Sequence, residues 1–150
     1  MTVEQAAASV VERFPGAQVT PGNPLVVSVA PAEWAAFAQF AKDSLGCRFF
    51  SFSSAVDWKD QGLEMVARVE NLDARFALTM KTRLGPGVST IASMVPIYRG
   101  ANWMERECWD MFGIHFEGHP DLRRILLDDS WVGHPLLKSY AVDTPHPPYR

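Results

Sequence analysis

Hydrophobic and polar positions follow two different periods along the first eighty residues of the chain. Apolar residues recur three and four positions apart in residues 3–14 and again in residues 34–45, a spacing that predicts two amphipathic helices. Residues 17–20 and 25–30 lie between them and are short runs rich in β-forming side chains. A Pro-Gly-Asn-Pro sequence separates the two runs, so the pattern predicts a β-hairpin after the first helix.

Alternation with a period of two follows the second helix in three runs, residues 50–58, 63–70 and 76–81. Short polar segments connect the runs, which predicts three consecutive strands in an antiparallel meander. We expect the apolar face of this meander to be the one that the two helices cover. In the first strand the apolar positions are Phe50, Phe52, Val56 and Trp58.

The order of the predicted elements is helix, strand, strand, helix, strand, strand, strand, which is typical of an α+β, two-layer sandwich. Residues 88–95 have the composition of one more short strand, and residues 101–112 have that of a third helix. Residues 113–150 contain all four histidines and show no sustained period, so we expect an irregular C-terminal docking segment. We therefore predict a platform at 1–100 and a C-terminal part at 101–150, within one structural domain overall.

Composition narrows the class of protein. With 150 residues, 47% of them hydrophobic and 21% charged, the chain is typical of one soluble globular domain. The net charge of −3 and the scattered basic residues argue against nucleic acid as a partner. No apolar run approaches the roughly 18 residues of a membrane span, and the N-terminus lacks the features of a secretory signal. We expect a cytosolic protein in which Cys47 and Cys108 are reduced and buried.

Two kinds of catalytic or metal site can be considered from residue types alone. Cys108, His115 and His119 are possible zinc ligands, although no predicted helix aligns the two histidines. Glu105, Glu107 and Asp110 could supply paired carboxylates for acid and base catalysis. Arg106 precedes Asp110 by four residues, and this spacing favours an ion pair within the protein over proton transfer.

A docking surface is the interpretation that the C-terminal segment favours. Charged and apolar residues are interleaved there without a period, and arginine and tryptophan are enriched where binding energy concentrates at protein interfaces. The interleaved residues are Asp121, Leu122, Arg123, Arg124, Ile125, Leu126, Leu127, Asp128, Asp129 and Trp131.

Residues 105–140 resemble the signature of the 30 kDa subunit of respiratory complex I. Three blocks carry the resemblance and occur in order without a gap: ERECWDMFGIHF, then GHPDLRRIL, then WVGHPL. One departure is Leu137, where that family usually has a basic residue. Relatives of the family also occur in membrane-bound hydrogenases and related quinone-reducing dehydrogenases, which leaves an equivalent scaffold subunit as an alternative. A stand-alone metal-dependent enzyme is a further alternative.

The resemblance implies a non-catalytic structural subunit in the peripheral arm of bacterial NADH-quinone oxidoreductase, which couples electron transfer from NADH to quinone to proton translocation. It implies a position on the cytoplasmic side of the inner membrane, against the large quinone-site (49 kDa-type) subunit and the iron-sulfur subunits. No cofactor is expected in this chain, since two cysteines cannot supply the four thiolates of an iron-sulfur cluster; flavin and clusters belong to the partners. No catalytic or metal-binding residue is expected. The residues expected at the partner interface are Glu105, Arg106, Glu107, Asp110, His119, Asp121, Arg123, Arg124, Ile125, Leu126, Trp131 and Lys138.

Overall fold

The first helix, α1 (Val3–Arg13), begins at a capping box. In the computed structural model, which describes residues 1–143, the Gln5 amide N–H donates to Thr2 Oγ1 at 3.3 Å. The Thr2 amide in turn donates to Gln5 Oε1 at 2.8 Å. These two bonds satisfy amide groups that a helix start would otherwise leave without partners. The helix then buries Ala6 and Val10 on one face.

A five-stranded sheet forms the second layer and confirms the predicted hairpin and meander. Its strands are β1 (Gln18–Thr20), β2 (Leu25–Ser28), β3 (Phe49–Asp57), β4 (Leu63–Asn71) and β5 (Phe76–Gly85). β1 pairs with β2, β3 with β4 and β4 with β5, all antiparallel. β2 and β5 pair in parallel, so the spatial order is β1-β2-β5-β4-β3.

The second helix, α2 (Trp34–Asp43), connects the hairpin to the meander and supplies much of the core. Trp34, Phe37, Ala38 and Ala41 lie on its buried face, spaced three and four residues apart as the sequence predicts. They belong to one core cluster that also contains buried residues of α1 and the sheet. The structure thus confirms the α+β class and the two layers.

After Phe50, the apolar positions predicted for the first strand of the meander lie on the face opposite to the one predicted. Phe50 packs against the core, but Phe52, Val56 and Trp58 are 37%, 37% and 41% exposed. The inward positions of the strand are instead taken by Ser53 and Ala55. The reason is an irregularity in the pairing with β4 between Phe50 and Phe52. One extra residue in a strand reverses the face of every later side chain, so strict alternation assigned the wrong phase.

The C-terminal part begins with β6 (Thr90–Ala92), α3 (Ala101–Phe112) and β7 (His115–Glu117). The helix has the predicted bounds and ends at Gly113, whose positive φ of 73° suits glycine. β6 and β7 form a small parallel sheet; β7 was not predicted, because three residues are too few to show a period. α3 packs beside β3, where the Ser53 amide lies 3.2 Å from the Met104 sulfur.

Residues 118–143 contain no helix or strand, as predicted for the irregular segment. We call them the C-terminal strap. Buried residues of α3 and β7 join the same core cluster as those of the sheet. The predicted boundary near residue 100 stays a prediction, and residues 144–150 of the predicted tail lie outside the described residues.

Candidate docking surface

Asp110 on α3 is the point to which the strap is fastened. Its side chain is completely buried. Oδ2 accepts hydrogen bonds from three consecutive backbone amides of the strap, those of Ile125 at 3.2 Å, Leu126 at 2.9 Å and Leu127 at 3.0 Å. Oδ1 lies 2.6 Å from Nη1 of Arg124. One carboxylate therefore fixes four consecutive strap residues against the helix.

Arg124 completes this arrangement from the strap side. Its Nη2 donates to the carbonyl oxygens of Trp131 at 2.8 Å and Gly133 at 3.0 Å. The guanidinium also lies 5.5 Å from the centre of the Trp109 ring, within the range of a cation–π contact. Because a guanidinium presents several donors in a fixed plane, one side chain can bind the helix and close the loop of residues 124–133 together.

Arg106 binds the strap and not Asp110. The prediction of an ion pair between Arg106 and Asp110, based on their four-residue spacing, is therefore wrong. Its Nε donates to the Arg123 carbonyl at 3.1 Å, and its Nη2 donates to the Arg124 carbonyl at 2.7 Å. Asp110 is paired with Arg124 instead. A side chain from a residue far along the chain takes the place that helix spacing assigned to Arg106, which local sequence cannot reveal.

Burial and hydrogen bonding act in opposite directions on the pKa of Asp110. Burial by itself would raise the pKa of this carboxyl, since it disfavours the charged form. The Arg124 guanidinium and the three strap amides stabilise the carboxylate and together outweigh burial, so the pKa lies below its ordinary value. Asp110 is therefore ionised at neutral pH and forms a true ion pair.

Glu105 binds α3 to the segment that precedes this helix in the chain, at Ser93 and Met94. The completely buried carboxyl accepts hydrogen bonds from Ser93 Oγ and from the Met94 amide, both at 2.6 Å. Burial raises the pKa of Glu105 to about 7, although the two hydrogen bonds act to lower it. With no cation as partner among these contacts, Glu105 differs in environment from Asp110 on the same helix.

The two histidines of the described strap make structural hydrogen bonds. Nδ1 of His119 accepts from the Asp121 amide at 3.0 Å, and its Nε2 lies 3.0 Å from the Asn102 carbonyl oxygen. The acceptor role of Nδ1 places the proton on Nε2, which donates to that carbonyl. His134 Nδ1 lies 2.9 Å from the Asp110 carbonyl oxygen. Both rings thus bind the strap to α3.

Cys108, His115 and His119, the possible zinc ligands named from the sequence, are not grouped as a metal site in the structure. Cys108 is buried, and burial raises the pKa of its thiol to about 12, which disfavours the thiolate that binds metal. His119 uses both ring nitrogens, and His115 is exposed. Within residues 1–143, no three histidine, cysteine or acidic side chains are grouped so that they could hold a metal ion.

The structure divides the residues expected at a partner interface into three groups. Four have side chains engaged inside the chain, namely Glu105, Arg106, Asp110 and Arg124. Three are half-buried, namely His119, Ile125 and Trp131. The exposed ones are Glu107, Asp121, Arg123, Leu126 and Lys138.

Exposed apolar side chains on the strap include two that the sequence reasoning missed. Leu126 is 61% exposed, and it is joined in the strap by Val132 and Leu136, both also exposed. Arg123, three residues before Leu126, is also exposed. Its Nε lies 2.9 Å from Oδ2 of Asp121. Val132 and Leu136 belong to no periodic pattern in the sequence. They can be recognised as candidate contact residues only from their exposure in the structure. Exposed leucine and valine side chains on a loop that is held by buried hydrogen bonds are suited to bind another protein.

These features define a class of protein, a small α+β platform whose irregular strap is fastened to one helix by buried charged residues. The model of the family described as respiratory-chain NADH dehydrogenase, 30 kDa subunit, matches residues 27–146. The chain belongs to this family.

Relatives of known name agree with this assignment. The chain is 40% identical over 146 residues to the C subunit of NADH-quinone oxidoreductase from Rhodobacter capsulatus, covering 92% of this chain and 72% of the relative. It is 36% identical over 129 residues to the C subunit from Geotalea uraniireducens, covering 84% and 79%. The mitochondrial 30.4 kDa subunit of Neurospora crassa NADH-ubiquinone oxidoreductase is 38% identical over 122 residues, 79% of this chain and 43% of the relative.

Two solved structures share the fold. A trypsin-resistant fragment of Nqo5 superimposes with a TM-score of 0.70 at 21% identity, covering 81% of this chain and all of the fragment. A chain of the membrane-bound sulfane sulfur reductase, an archaeal respiratory membrane complex, gives a TM-score of 0.66 at 24% identity, covering 86% and 75%. In residues 1–143 of the present chain, no helix has both the length and the apolar character needed to cross a membrane.

Proposed function

We propose that this chain is a non-catalytic structural subunit of the peripheral arm of a bacterial NADH-quinone oxidoreductase, complex I. Family membership and the named relatives support this proposal. The arm carries electrons from NADH to quinone, and the chain contributes by joining subunits and not by chemistry of its own. It acts on the cytoplasmic side of the inner membrane, as a peripheral protein.

The observation that carries the proposal is the fastened strap with its exposed apolar side chains. Asp110 and Arg124 fix the strap backbone through buried hydrogen bonds, while the Leu126 side chain stands in solvent. A loop that is ordered before binding loses less conformational freedom on association than a flexible one. The internal ion pair thus supports docking without touching the partner.

The expected partner is the large quinone-site subunit, together with iron-sulfur subunits. Exposed strap residues Arg123, Leu126, Val132, Leu136 and Lys138 form the contact in this account. The aliphatic side chains are desolvated, and Arg123 meets a carboxylate or carbonyl group of the partner. Flavin and iron-sulfur clusters belong to the partners.

The test compares two leucines of equal exposure, one on the strap and one remote from it. Leu126 is 61% exposed, and Leu72, in the turn between β4 and β5, is 62% exposed. Leu126→Asp and Leu72→Asp introduce the same charge at either place. Each tagged variant is expressed in cells that lack the native protein, and the sibling subunits recovered with it are quantified.

We expect Leu126→Asp to reduce recovery of the siblings at least tenfold, since it places a carboxylate without a partner in an apolar contact. Leu72→Asp should recover them at the wild-type level, and thermal unfolding should show both variants folded. Equal recovery with the two variants would contradict docking through the strap. Turnover of NADH by the isolated chain would contradict the non-catalytic role.

A second candidate is the equivalent scaffold in a related complex, such as a membrane-bound hydrogenase or another quinone-reducing dehydrogenase. This candidate is supported by the fold that the chain shares with a chain of the archaeal sulfane sulfur reductase. The same purification separates the two candidates by the identity of the siblings. Flavin-containing and NADH-binding subunits support complex I, whereas a nickel enzyme supports the alternative.

A further inference from the structure

Large apolar side chains lie on the sheet face that the helices leave uncovered. Phe52 and Val56 of β3 and Trp58, which directly follows it, point to this face, while the small residues Ser53 and Ala55 point to the helices. An antiparallel sheet with one solvated face ordinarily has the large apolar residues inside and polar ones outside. β3 has the reverse arrangement, which indicates a strand whose outer face is covered in the functional protein.

Cross-strand neighbours extend this stripe into a mixed apolar and basic surface. In the observed register each outward residue of β3 lies opposite one on β4, which lies opposite one on β5. We call this surface the open face. Its three rows are Phe52, Arg68 and Thr79, then Ser54, Val66 and Lys81, then Val56, Glu64 and Arg83, with Trp58 following at the end of β3.

Contacts within the open face hold its aromatic side chains in place. The Arg68 guanidinium lies 6.0 Å from the Phe52 ring centre, and its Nε donates to Thr79 Oγ1 at 3.3 Å. The arrangement is ordered before any partner arrives, which lowers the entropy lost on binding.

The third row is ordered in a similar way by a buried carboxylate. Trp58 Nε1 donates to Glu64 Oε2 at 2.7 Å, and Arg83 Nε lies 3.6 Å from Glu64 Oε1. The Arg83 guanidinium is 4.4 Å from the Trp58 ring centre. Glu64 is nearly fully buried, and its carboxylate is paired with Arg83 inside the open face.

Two cations of the open face lack such a carboxylate within the described part of the chain. Within residues 1–143, neither Arg68 nor Lys81 lies within 4.0 Å of an acidic side chain. The chain as a whole has a net charge of −3, so a basic surface is not a general property of this protein. A surface with carboxylates beside aliphatic groups would be complementary to this face.

We propose that the open face is a second docking surface, which binds an acidic and aliphatic surface of a sibling subunit in the same complex. A carboxylate of the partner meets the guanidinium of Arg68, and aliphatic side chains fill the space between Phe52, Val56 and Trp58. The inference relies on the proposed function only for the existence of siblings. It uses residues separate from those of the strap.

The test uses two charge-changing variants, each with a matched control on α1. Val56→Glu is compared with Val11→Glu, since Val11 is an exposed valine on the solvent side of that helix. Arg68→Glu is compared with Arg13→Glu, because Arg13 is an exposed arginine in its last turn. Tagged full-length variants are purified from cells with their siblings, and thermal unfolding of each variant establishes that it is folded.

We expect Val56→Glu and Arg68→Glu to reduce sibling recovery at least tenfold relative to their controls. Recovery equal to that of the controls would overturn the proposal, and with Leu126→Asp still defective it would leave the strap account intact. Sedimentation of the isolated wild-type chain as a dimer, converted to a monomer by Val56→Glu, would assign the face to a second copy and overturn it as well. Failure of even the wild-type chain to recover siblings would reject the proposed function, and this inference with it.

Discussion

The Asp110 carboxylate and the Arg124 guanidinium form an ion pair 2.6 Å long, in which Asp110 is completely buried and Arg124 nearly so. The two residues are fourteen positions apart and belong to different parts of the molecule, a helix and an irregular strap. Burying charges is unfavourable unless every one is paired and hydrogen-bonded. Here Arg124 Nη2 and Asp110 Oδ2 also bind strap backbone, so the pair defines the loop conformation as well as its position.

Removing the charge of Asp110 should release the strap. Asp110→Asn leaves the Arg124 guanidinium buried without a counter-charge, and we expect it to lower the free energy of unfolding by about 3 kcal/mol. Urea titration at neutral pH measures the loss, and hydrogen exchange of the Ile125, Leu126 and Leu127 amides measures local release. The matched control is Asp121→Asn, which breaks the exposed pair with Arg123 and should change neither quantity appreciably. Protected strap amides in Asp110→Asn would refute this role.

The adjacent arginines should respond differently to the same conservative change. Arg124→Lys replaces a planar fork that reaches Asp110 and two carbonyls with a single ammonium, which cannot make all these bonds. We expect a loss of about 2 kcal/mol in the free energy of unfolding. Arg123→Lys, at an exposed site, should leave stability unchanged. Equal thermal unfolding curves for the two variants would show that the fork geometry is unimportant.

The raised pKa of Glu105 predicts a stability that falls as pH rises. Burial favours the protonated carboxyl in the folded chain, so its stabilisation is present below the unfolded value near 4.5 and is lost towards the folded value of about 7. Glu105→Gln keeps an acceptor for the Met94 amide and carries no charge. We expect this variant to match wild type near pH 4.5 and to exceed it at pH 8 by on the order of 2 kcal/mol.

Chemical denaturation at the two pH values checks the prediction for Glu105. The control is Glu107→Gln on the exposed side of α3, which should show the wild-type dependence on pH. A Glu105→Gln variant that is less stable than wild type at pH 8 would mean that the ionised carboxylate is favourable in the core.

The sequence predicted best what is local and periodic. α3 was expected at residues 101–112 and is found there, since its buried face repeats every three to four residues and Gly113 ends it. β3 was located correctly, but its outer and inner faces after Phe50 were exchanged. A single irregularity at Ser51 separates Phe50 from Phe52, and no alternation rule indicates where a strand will bulge.

The sequence indicated a docking segment in the C-terminal part, which stays a prediction, and could not give its internal arrangement. Arginine and aspartate in the signature indicated charged contacts, and the structure places several of these side chains inside the chain. The pairing of Asp110 with Arg124 depends on how the strap folds back along α3, which is a long-range property. The exposed side chains of the docking hypothesis, such as Val132 and Leu136, become visible only once that fold is known.

The two thiols should be unreactive in the folded protein. Cys47 and Cys108 are both buried and free, and burial raises the pKa of each thiol to about 12. Since the thiolate is the reactive form, a disulfide reagent at mildly alkaline pH should modify neither thiol in native protein and both in denaturant. Rapid reaction of one thiol without unfolding would show that its surroundings open far more readily than the packed core suggests.

In the proposed complex, the fastened strap presents its exposed side chains to another subunit. Hydroxyl-radical footprinting of the isolated chain and of the purified complex measures this most directly. The account predicts that oxidation of Leu126, Val132 and Leu136 falls severalfold on assembly, while that of Leu72 stays constant. Equal oxidation of these strap residues in the two states would contradict it.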